Sequence, residues 1–335
     1  MIQNRKRMKL TYLLILFLFT LVMFSTTTYA WFTANRVVTV NTINVHVAAS
    51  GGIEISVDGT TWKSLITPED ITSVHDSTYP TSTNQIPYAM EPVSTGAEID
   101  SSNGFLRMYY GITNSNPQGD FILSSVRSVE EEGNGVNSEG KFIAFDLFFK
   151  VNNESQIYLT NNSKVTYKED SSQKGIANAT RIAFVDEGTV QIGTGVNEIQ
   201  ALRNATNNTV YIWEPNYDTH TRSAIANAYS LYGIVTQETN GNRIIYDGVN
   251  NIFGEDSNVI LSRARSSYFP NFFKTVDVNY YTKSEFTNYI PVFTLNPGIT
   301  KIRVYMWIEG QDVDCENDAS YDDIQFDLQF TVNPS

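Results

Sequence analysis

The chain has 335 residues, of which 41% are hydrophobic, 13% aromatic and 18% charged. So many aromatic side chains exclude disorder of the whole chain, and the length allows a core that needs no disulfide or metal. The formal net charge of -13 at pH 7 argues against nucleic acid or an anionic lipid surface as the main partner, because both repel an acidic protein. The single cysteine, Cys315, excludes an intramolecular disulfide.

Residues 1–30 have the organisation of a secretory signal peptide. A basic cluster at 5–9 precedes an apolar run from Leu10 to Phe24, and small residues lead to a cleavage site at Ala30. The apolar run is shorter than the roughly 20 residues that a membrane-spanning helix needs. The sequence therefore predicts cleavage between Ala30 and Trp31 and a secreted, extracellular or cell-surface protein that contacts membrane only through its leader. A retained transmembrane anchor is the alternative.

Alternating apolar and β-branched residues predict strands along the rest of the chain. In the first strand, residues 38–47, every second side chain from Ile43 to Val47 shares one face. A second alternating run, Ile53 to Val57, ends at Asp58-Gly59, a pair that favours a type I′ hairpin. The run from Phe142 to Val151 is apolar on both faces, as expected of a strand buried between two layers. Weaker or shorter candidate strands are Phe121 to Val129, Ile157 to Leu159, Lys164 to Tyr167, Arg181 to Val185, Val210 to Trp213 and Arg243 to Tyr246.

The C-terminal region has the clearest strand pattern. After a turn at Asn296-Pro297-Gly298, residues alternate in character from Ile302 to Glu309 and again from Ile324 to Val332, which predicts half-buried antiparallel strands. Helical pattern is scarce, and Arg222 to Tyr229 is the best candidate. We therefore predict an all-β protein, an antiparallel β-sandwich of jelly-roll type with loop insertions and little helix. Residues 31–335 are expected to form a single domain, elaborated by insertions in its middle third.

Short stretches at both ends resemble a known family. Residues 28–33 (TYAWFT), 41–45 (NTINV) and 52–56 (GIEIS) resemble the start of camelysin and TasA-type proteins, which Gram-positive bacteria export. The stretch at 304–315 resembles exported surface proteins of such bacteria. The resemblance implies a jelly-roll-like sandwich that self-associates into extracellular biofilm-matrix fibres, with other matrix or surface proteins as further partners.

Cleavage after Ala30 would free an apolar segment that runs into the first strand. A chain terminus of this kind can add to the sheet edge of a neighbour, and a head-to-tail contact that does not close yields a filament. The segment from Trp31 to Val47 is therefore expected to be exchanged between subunits of a fibre. The alternative is a monomer in which the strand pairs within its own subunit. The apolar residues of this assembly segment are Trp31, Phe32, Val38, Val40, Ile43, Val45 and Val47.

An acidic loop near the C-terminus has the carboxylate spacing of a calcium-binding loop. The sixth position is Asn317, where such a loop needs glycine, and no helices flank it. Calcium is the one cofactor that the sequence suggests. The alternative is a solvated acidic turn between two strands, with Cys315 inside as a small hydrophobe. The carboxylates at positions 1, 3, 5 and 12 of this loop are Asp312, Asp314, Glu316 and Asp323.

The sequence offers no catalytic motif. Its histidines, His46, His75 and His220, lack the His-Glu-x-x-His spacing, and Gly-x-Ser-x-Gly is absent. We therefore expect a structural subunit of a surface or matrix fibre rather than an enzyme. One alternative is an adhesin-like module whose exposed aromatic row holds a glycan or host protein. A second is a camelysin-like metalloprotease, which would need three histidines or carboxylates at one point.

Overall fold

The protein is mostly β-strand, with three short helices in the part of the chain that the structure describes. This confirms the predicted all-β class. The computed structural model describes residues 39–47, 52–115, 121–128, 140–168, 175–204, 210–216, 219–227, 237–239, 243–245, 249–252, 258–260, 273–276, 280–281, 291–310, 312, 314–315 and 323–332.

A strand lies at each position where the sequence predicted one, with bounds that differ by a few residues. The helix predicted from Arg222 to Tyr229 is described from Arg222 to Asn227. The elements are β1 (Thr39–Val47), β2 (Glu54–Ser56), β3 (Leu65–Ile66), α1 (Pro68–Ser73), β4 (Met108–Ser115), β5 (Phe121–Ser128), β6 (Ile143–Val151), β7 (Ser155–Leu159), β8 (Lys164–Tyr167), β9 (Thr180–Val190), α2 (Val196–Gln200), β10 (Val210–Glu214), α3 (Arg222–Asn227), β11 (Gln237–Thr239), β12 (Arg243–Ile245), β13 (Val249–Ile252), β14 (Asn258–Ile260), β15 (Phe273–Val276), β16 (Tyr280–Tyr281), β17 (Phe293–Leu295), β18 (Gly298–Ile308) and β19 (Asp323–Thr331). Among the described residues, none of the helices is long and apolar enough to cross a membrane.

Two six-stranded sheets carry most of the structure. The first sheet has the order β17-β7-β19-β1-β3, and β8 also pairs with β19. The second sheet has the order β16-β10-β9-β18-β6-β2. Neighbouring strands are antiparallel except for the parallel pairs β1–β19 and β10–β16. Three smaller groups, β14-β5-β4, β11-β12 and β13-β15, complete the described strands.

The main hydrophobic core lies between the two sheets. The ring of Phe330 on β19 meets the edge of Phe149 on β6 at 5.2 Å and of Phe184 on β9 at 5.8 Å, between ring centroids. Phe293 on β17 joins the same group, 5.5 Å from Phe149. Such edge-to-face contacts add about 0.5–1.5 kcal/mol each beyond the burial of apolar area. The sheets are therefore held face to face by aromatic side chains from four different strands.

The predicted burial is confirmed for β6 and β19 but is wrong for β18. β6 is buried on both faces, and β19 alternates between buried and partly exposed residues. All residues of β18 are buried, although its pattern predicts one solvated face. Segments distant in sequence cover that face: the amide N–H of Leu106 donates to the hydroxyl of Tyr305, and that of Val93 donates to the carbonyl of Ile308.

The reversal at Asp58-Gly59 is not the predicted type I′ hairpin. Gly59 has a φ of +70°, but Asp58 lacks the positive φ that this turn type requires at both central positions. The Asp58 carboxylate instead accepts hydrogen bonds from the amide N–H groups of Thr60 and Thr61 and from the hydroxyl of Thr78. Burial opposes its ionisation, yet these hydrogen bonds prevail and hold the pKa of Asp58 well below its usual range. The carboxylate therefore organises a wider turn.

Candidate functional site

β1 lies in the interior of the first sheet, between β19 and β3. Its parallel register with β19 runs from the pair Thr39–Asp323 to the pair Val47–Phe330. On its other side, β1 pairs with β3 in the antiparallel sense, and His46 lies opposite Leu65. A parallel neighbour cannot be reached by a tight hairpin, so β1 is placed by long-range contacts.

The faces predicted for β1 are confirmed. Ile43, Val45 and Val47 are buried, and the two residues between them are partly exposed. The side-chain amide of Asn44 donates to the carboxylate of Asp327 on β19 at 3.2 Å, on the outer face. Of the other predicted assembly residues, Val40 belongs to β1. Outside the described residues lie Trp31, Phe32 and Val38, as does the cleavage site at Ala30.

A buried charged group lies beside the second sheet, and we call it the carboxylate cluster. It is formed by the start of β9, the last residue of β10, the segment just before α3 and the loop after β18. Within that loop the amide N–H of Asp314 donates to a carboxylate oxygen of Asp312 at 2.8 Å, which turns both carboxylates inward. All six side chains are buried. The carboxylate cluster consists of Arg181, Glu214, His220, Glu309, Asp312 and Asp314.

Ion pairs and hydrogen bonds connect the members of the carboxylate cluster. The Nη2 atom of Arg181 lies 2.6 Å from Asp312 Oδ2 and also contacts Glu214 Oε1. The Nδ1 atom of His220 lies 2.5 Å from Asp314 Oδ2. The other oxygen of Asp314 accepts the amide N–H of Thr221 at 2.8 Å. The second carboxylate oxygen of Glu214, Oε2, receives no hydrogen bond, although the side chain is fully buried.

The electrostatics of the carboxylate cluster favour retained protons. Burial raises the pKa of Glu214 to about 8, since the attraction of Arg181 does not compensate for lost hydration and the neighbouring Asp312 adds repulsion. Burial also raises the pKa of Asp314. For His220, burial acts to lower the pKa, but the hydrogen bond to Asp314 and the surrounding carboxylates raise it overall. The cluster therefore has more acidic groups than it can keep ionised without further positive charge.

The four residues predicted to bind calcium do not come together in the described part of the structure. Asp312 and Asp314 belong to the carboxylate cluster, so this part of the loop is not the solvated turn that the alternative describes. Cys315 is buried, as that alternative expected. Asp323 begins β19 with Lys168 Nζ 3.7 Å away, and Glu316 lies outside the described residues. Calcium at this loop stays a prediction.

A second buried network surrounds Asp146 on β6. Its Oδ2 lies 2.9 Å from Lys301 Nζ, and its Oδ1 accepts a hydrogen bond from Arg303 Nη1 at 2.8 Å. The hydroxyl of Tyr79 also donates to Oδ2, at 2.8 Å. Lys301 Nζ further donates to the carbonyl of Gln200 at 3.0 Å. These contacts join β6 and β18 to the segments that cover them, so we interpret the network as structural.

The feature that would favour the metalloprotease alternative is present in the described residues, because His220, Asp312 and Asp314 bring three histidine or carboxylate ligands to one point. His46 lies in β1, and His75 Nδ1 is 3.2 Å from the carbonyl oxygen of Ser82, so His220 alone joins the carboxylates. Trp213 and Trp307 are fully buried and belong to the core. They are thus not part of an exposed aromatic row.

Sequence reasoning found Asp312 and Asp314 but missed Arg181, Glu214 and His220 as their neighbours. The one available signal was that Arg181 and Glu214 are charged residues at the ends of predicted strands. Comparison of the chain with protein-family models, with curated proteins and with solved structures finds no match.

Proposed function

We propose that the protein is a secreted structural subunit of an extracellular surface or biofilm-matrix fibre. It is built on a β-sandwich of jelly-roll type and assembles by exchange of β1 between subunits. One observation carries the proposal: β1, the first described strand, fills an interior place in the first sheet between β19 and β3. The same place in one subunit can accept the β1 of another.

The place that β1 fills cannot stand empty in water. β1 buries the side chains of Ile43, Val45 and Val47 against the core. Each such burial is worth about 1.5–3 kcal/mol, so the three together contribute roughly 4–9 kcal/mol. Without β1, the facing edge of β19 would also expose unpaired N–H and C=O groups. A subunit therefore needs a strand there, from itself or from a neighbour.

Exchange keeps every one of these contacts. The hydrogen-bonding partners of β1 are β19 and β3, so a second copy of β1 entering with the same register makes the same bonds. Exchange of an identical element between protomers is a low-energy route to assembly. If each subunit gives its strand to the next, the contact is head-to-tail and extends as a filament.

Other features support this proposal over the two alternatives. The predicted leader and the resemblance of residues 28–56 to camelysin and TasA-type proteins favour an exported fibre subunit. A metalloprotease would need an open metal position that a peptide can reach. His220, Asp312 and Asp314 converge but are buried, which favours a closed site. An adhesin would use a row of exposed aromatic side chains, whereas Trp213 and Trp307 are buried and Tyr88 is the one well-exposed large aromatic side chain among the described residues.

Cysteine trapping tests the exchange directly. His46 on β1 and Gln329 on β19 are partners in register, and both are partly exposed. Adjacent strands lie about 4.8 Å apart, within the Cα separation that a disulfide tolerates. In a Cys315→Ser background, the mature His46→Cys and Gln329→Cys variants are mixed at polymerising concentration and oxidised. Exchange predicts a disulfide-linked dimer of the two variants on a non-reducing gel.

The matched control replaces His46→Cys by Asn44→Cys, whose partner in register is Asp327 rather than Gln329. This out-of-register mixture should give much less dimer. Electron microscopy of the mature wild type should show filaments. The proposal is wrong if the mature chain stays monomeric under all conditions tried. Filaments without the register-specific crosslink would refute strand exchange while leaving a fibre role in place.

A further inference from the structure

We propose that the carboxylate cluster binds one divalent transition-metal ion of the zinc class, with His220, Asp312 and Asp314 as ligands and Glu214 as the adjoining carboxylate. The ion would be structural, because all of these side chains are buried. It would tie the segment before α3 to the loop after β18. The inference does not depend on the fibre proposal.

The ligand atoms converge on one point. One ligand atom each from His220, Asp312 and Asp314 lies within 4.8 Å of the other two. Around a tetrahedral zinc ion, bonds of about 2.0–2.2 Å place ligand atoms about 3.3 Å apart. The longest separation would have to shorten, and the 2.5 Å contact between His220 and Asp314 would have to lengthen. Coordination therefore requires rotations of the His220, Asp312 and Asp314 side chains.

The charges of the carboxylate cluster call for a cation. Glu214, Glu309, Asp312 and Asp314 carry up to four negative charges, whereas Arg181 and His220 carry at most two positive ones. Burying an uncompensated ion costs several kcal/mol even after relaxation of the protein. Glu214 adds to this excess: its side chain is fully buried, its Oε1 pairs with the Arg181 guanidinium that also holds Asp312, and its Oε2 has no hydrogen-bond partner. A divalent ion supplies the missing charge.

The chemistry of the ligands selects the kind of ion. Imidazole with carboxylates suits zinc and related metals, while calcium takes six to eight oxygen ligands. The contacts already present do not block coordination, because an ionised carboxylate has about four lone-pair sites. Arg181 on Asp312 and the amide N–H of Thr221 on Asp314 would then act as partners that orient the ligands.

Direct metal binding is the test. The full mature protein is freed of metal with EDTA, incubated with Zn²⁺, gel-filtered and analysed by mass spectrometry of its metal content. We expect about one zinc ion per chain, a higher melting temperature with Zn²⁺ because the ligand binds the folded state, and a visible absorption band when Co²⁺ replaces zinc. A wild-type protein that retains no zinc above a buffer blank would overturn the inference. So would saturable binding of Ca²⁺ with none of Zn²⁺.

Two histidine variants test which residues bind the ion. His220→Gln should lose the retained zinc and the Co²⁺ band, whereas His75→Gln, a matched histidine change outside the carboxylate cluster, should keep both. Circular dichroism establishes that each variant is folded. If His220→Gln does not fold, Asp312→Asn takes its place with the same expectation, and the wild-type Co²⁺ band still decides whether nitrogen and oxygen ligands bind the ion. Equal zinc retention by the folded His220→Gln and His75→Gln proteins would refute the assignment.

Discussion

Replacing Asp146 by asparagine should destabilise the protein far more than any exposed charge change. The carboxylate is fully buried and contacts Lys301 at 2.9 Å and Arg303 at 2.8 Å. Asparagine keeps the shape but removes the negative charge, and its amide N–H₂ group would face the Lys301 ammonium as a second donor. Two buried cations would then lack their counter-ion.

The loss of stability is large because Lys301 and Arg303 would stay buried without a negative charge beside them. Removal of one partner from a buried ion pair typically costs 3–5 kcal/mol, because the remaining charge stays buried without compensation. Here the Tyr79 hydroxyl also loses its charged acceptor, although it keeps a 2.9 Å hydrogen bond to the carbonyl of Gln200. We therefore expect Asp146→Asn to lower the free energy of unfolding by about 3–5 kcal/mol at pH 7.

Urea unfolding followed by tryptophan fluorescence measures the change. Glu54→Gln is the control, because Glu54 forms an ion pair with Lys150 on the surface, where such pairs contribute at most about 1 kcal/mol. Acid provides a second readout. Burial alone would raise the pKa of Asp146, but Lys301 and Arg303 prevail and hold it far below its ordinary value of 3.8. Its stabilisation is therefore present above that value and is lost as the pH falls below it.

This acid-dependent loss of stability should be smaller in Asp146→Asn than in the wild type. A destabilisation below about 1 kcal/mol, equal to that of Glu54→Gln, would refute the reasoning. It would mean that water reaches the buried network.

Three further predictions concern stability. Between pH 4.5 and 8, the folded state holds a proton on Glu214 that the unfolded state has lost. In EDTA, unfolding free energy should therefore fall by up to about 1.4 kcal/mol per pH unit as the pH rises. Urea titrations should show this slope flattened in Glu214→Gln but not in the exposed control Glu198→Gln; equal slopes would contradict the assignment. Phe330→Ala should cost about 3–5 kcal/mol by urea unfolding, because it leaves a cavity among the three remaining aromatic rings, and the half-exposed Leu65→Ala should cost much less. Gly298→Ala should lower the melting temperature, since its φ of +144° strains an L-residue and its Cβ would overlap the carbonyl of Val190; an unchanged melting temperature would contradict this.

The sequence by itself determined where the strands lie and how two of them are oriented. Alternation with a period of two residues assigns the buried faces of β1 and β19, because successive side chains in a strand point to opposite sides. The same local logic found the continuous burial of β6. It also placed Asp312 and Asp314 in one short loop, since their spacing is a property of the local chain.

Only the tertiary structure decided which polar residues of these strands and loops are buried and which charges they meet. The alternation in β18 predicts a solvated face for Arg303, but segments distant in the chain cover it and Asp146 neutralises it. Arg181 meets Asp312 across 131 residues of sequence, and His220 meets Asp314 across 94. No local pattern encodes such pairs, because a charged side chain on a strand has the same local sequence whether water or an opposite charge finally surrounds it.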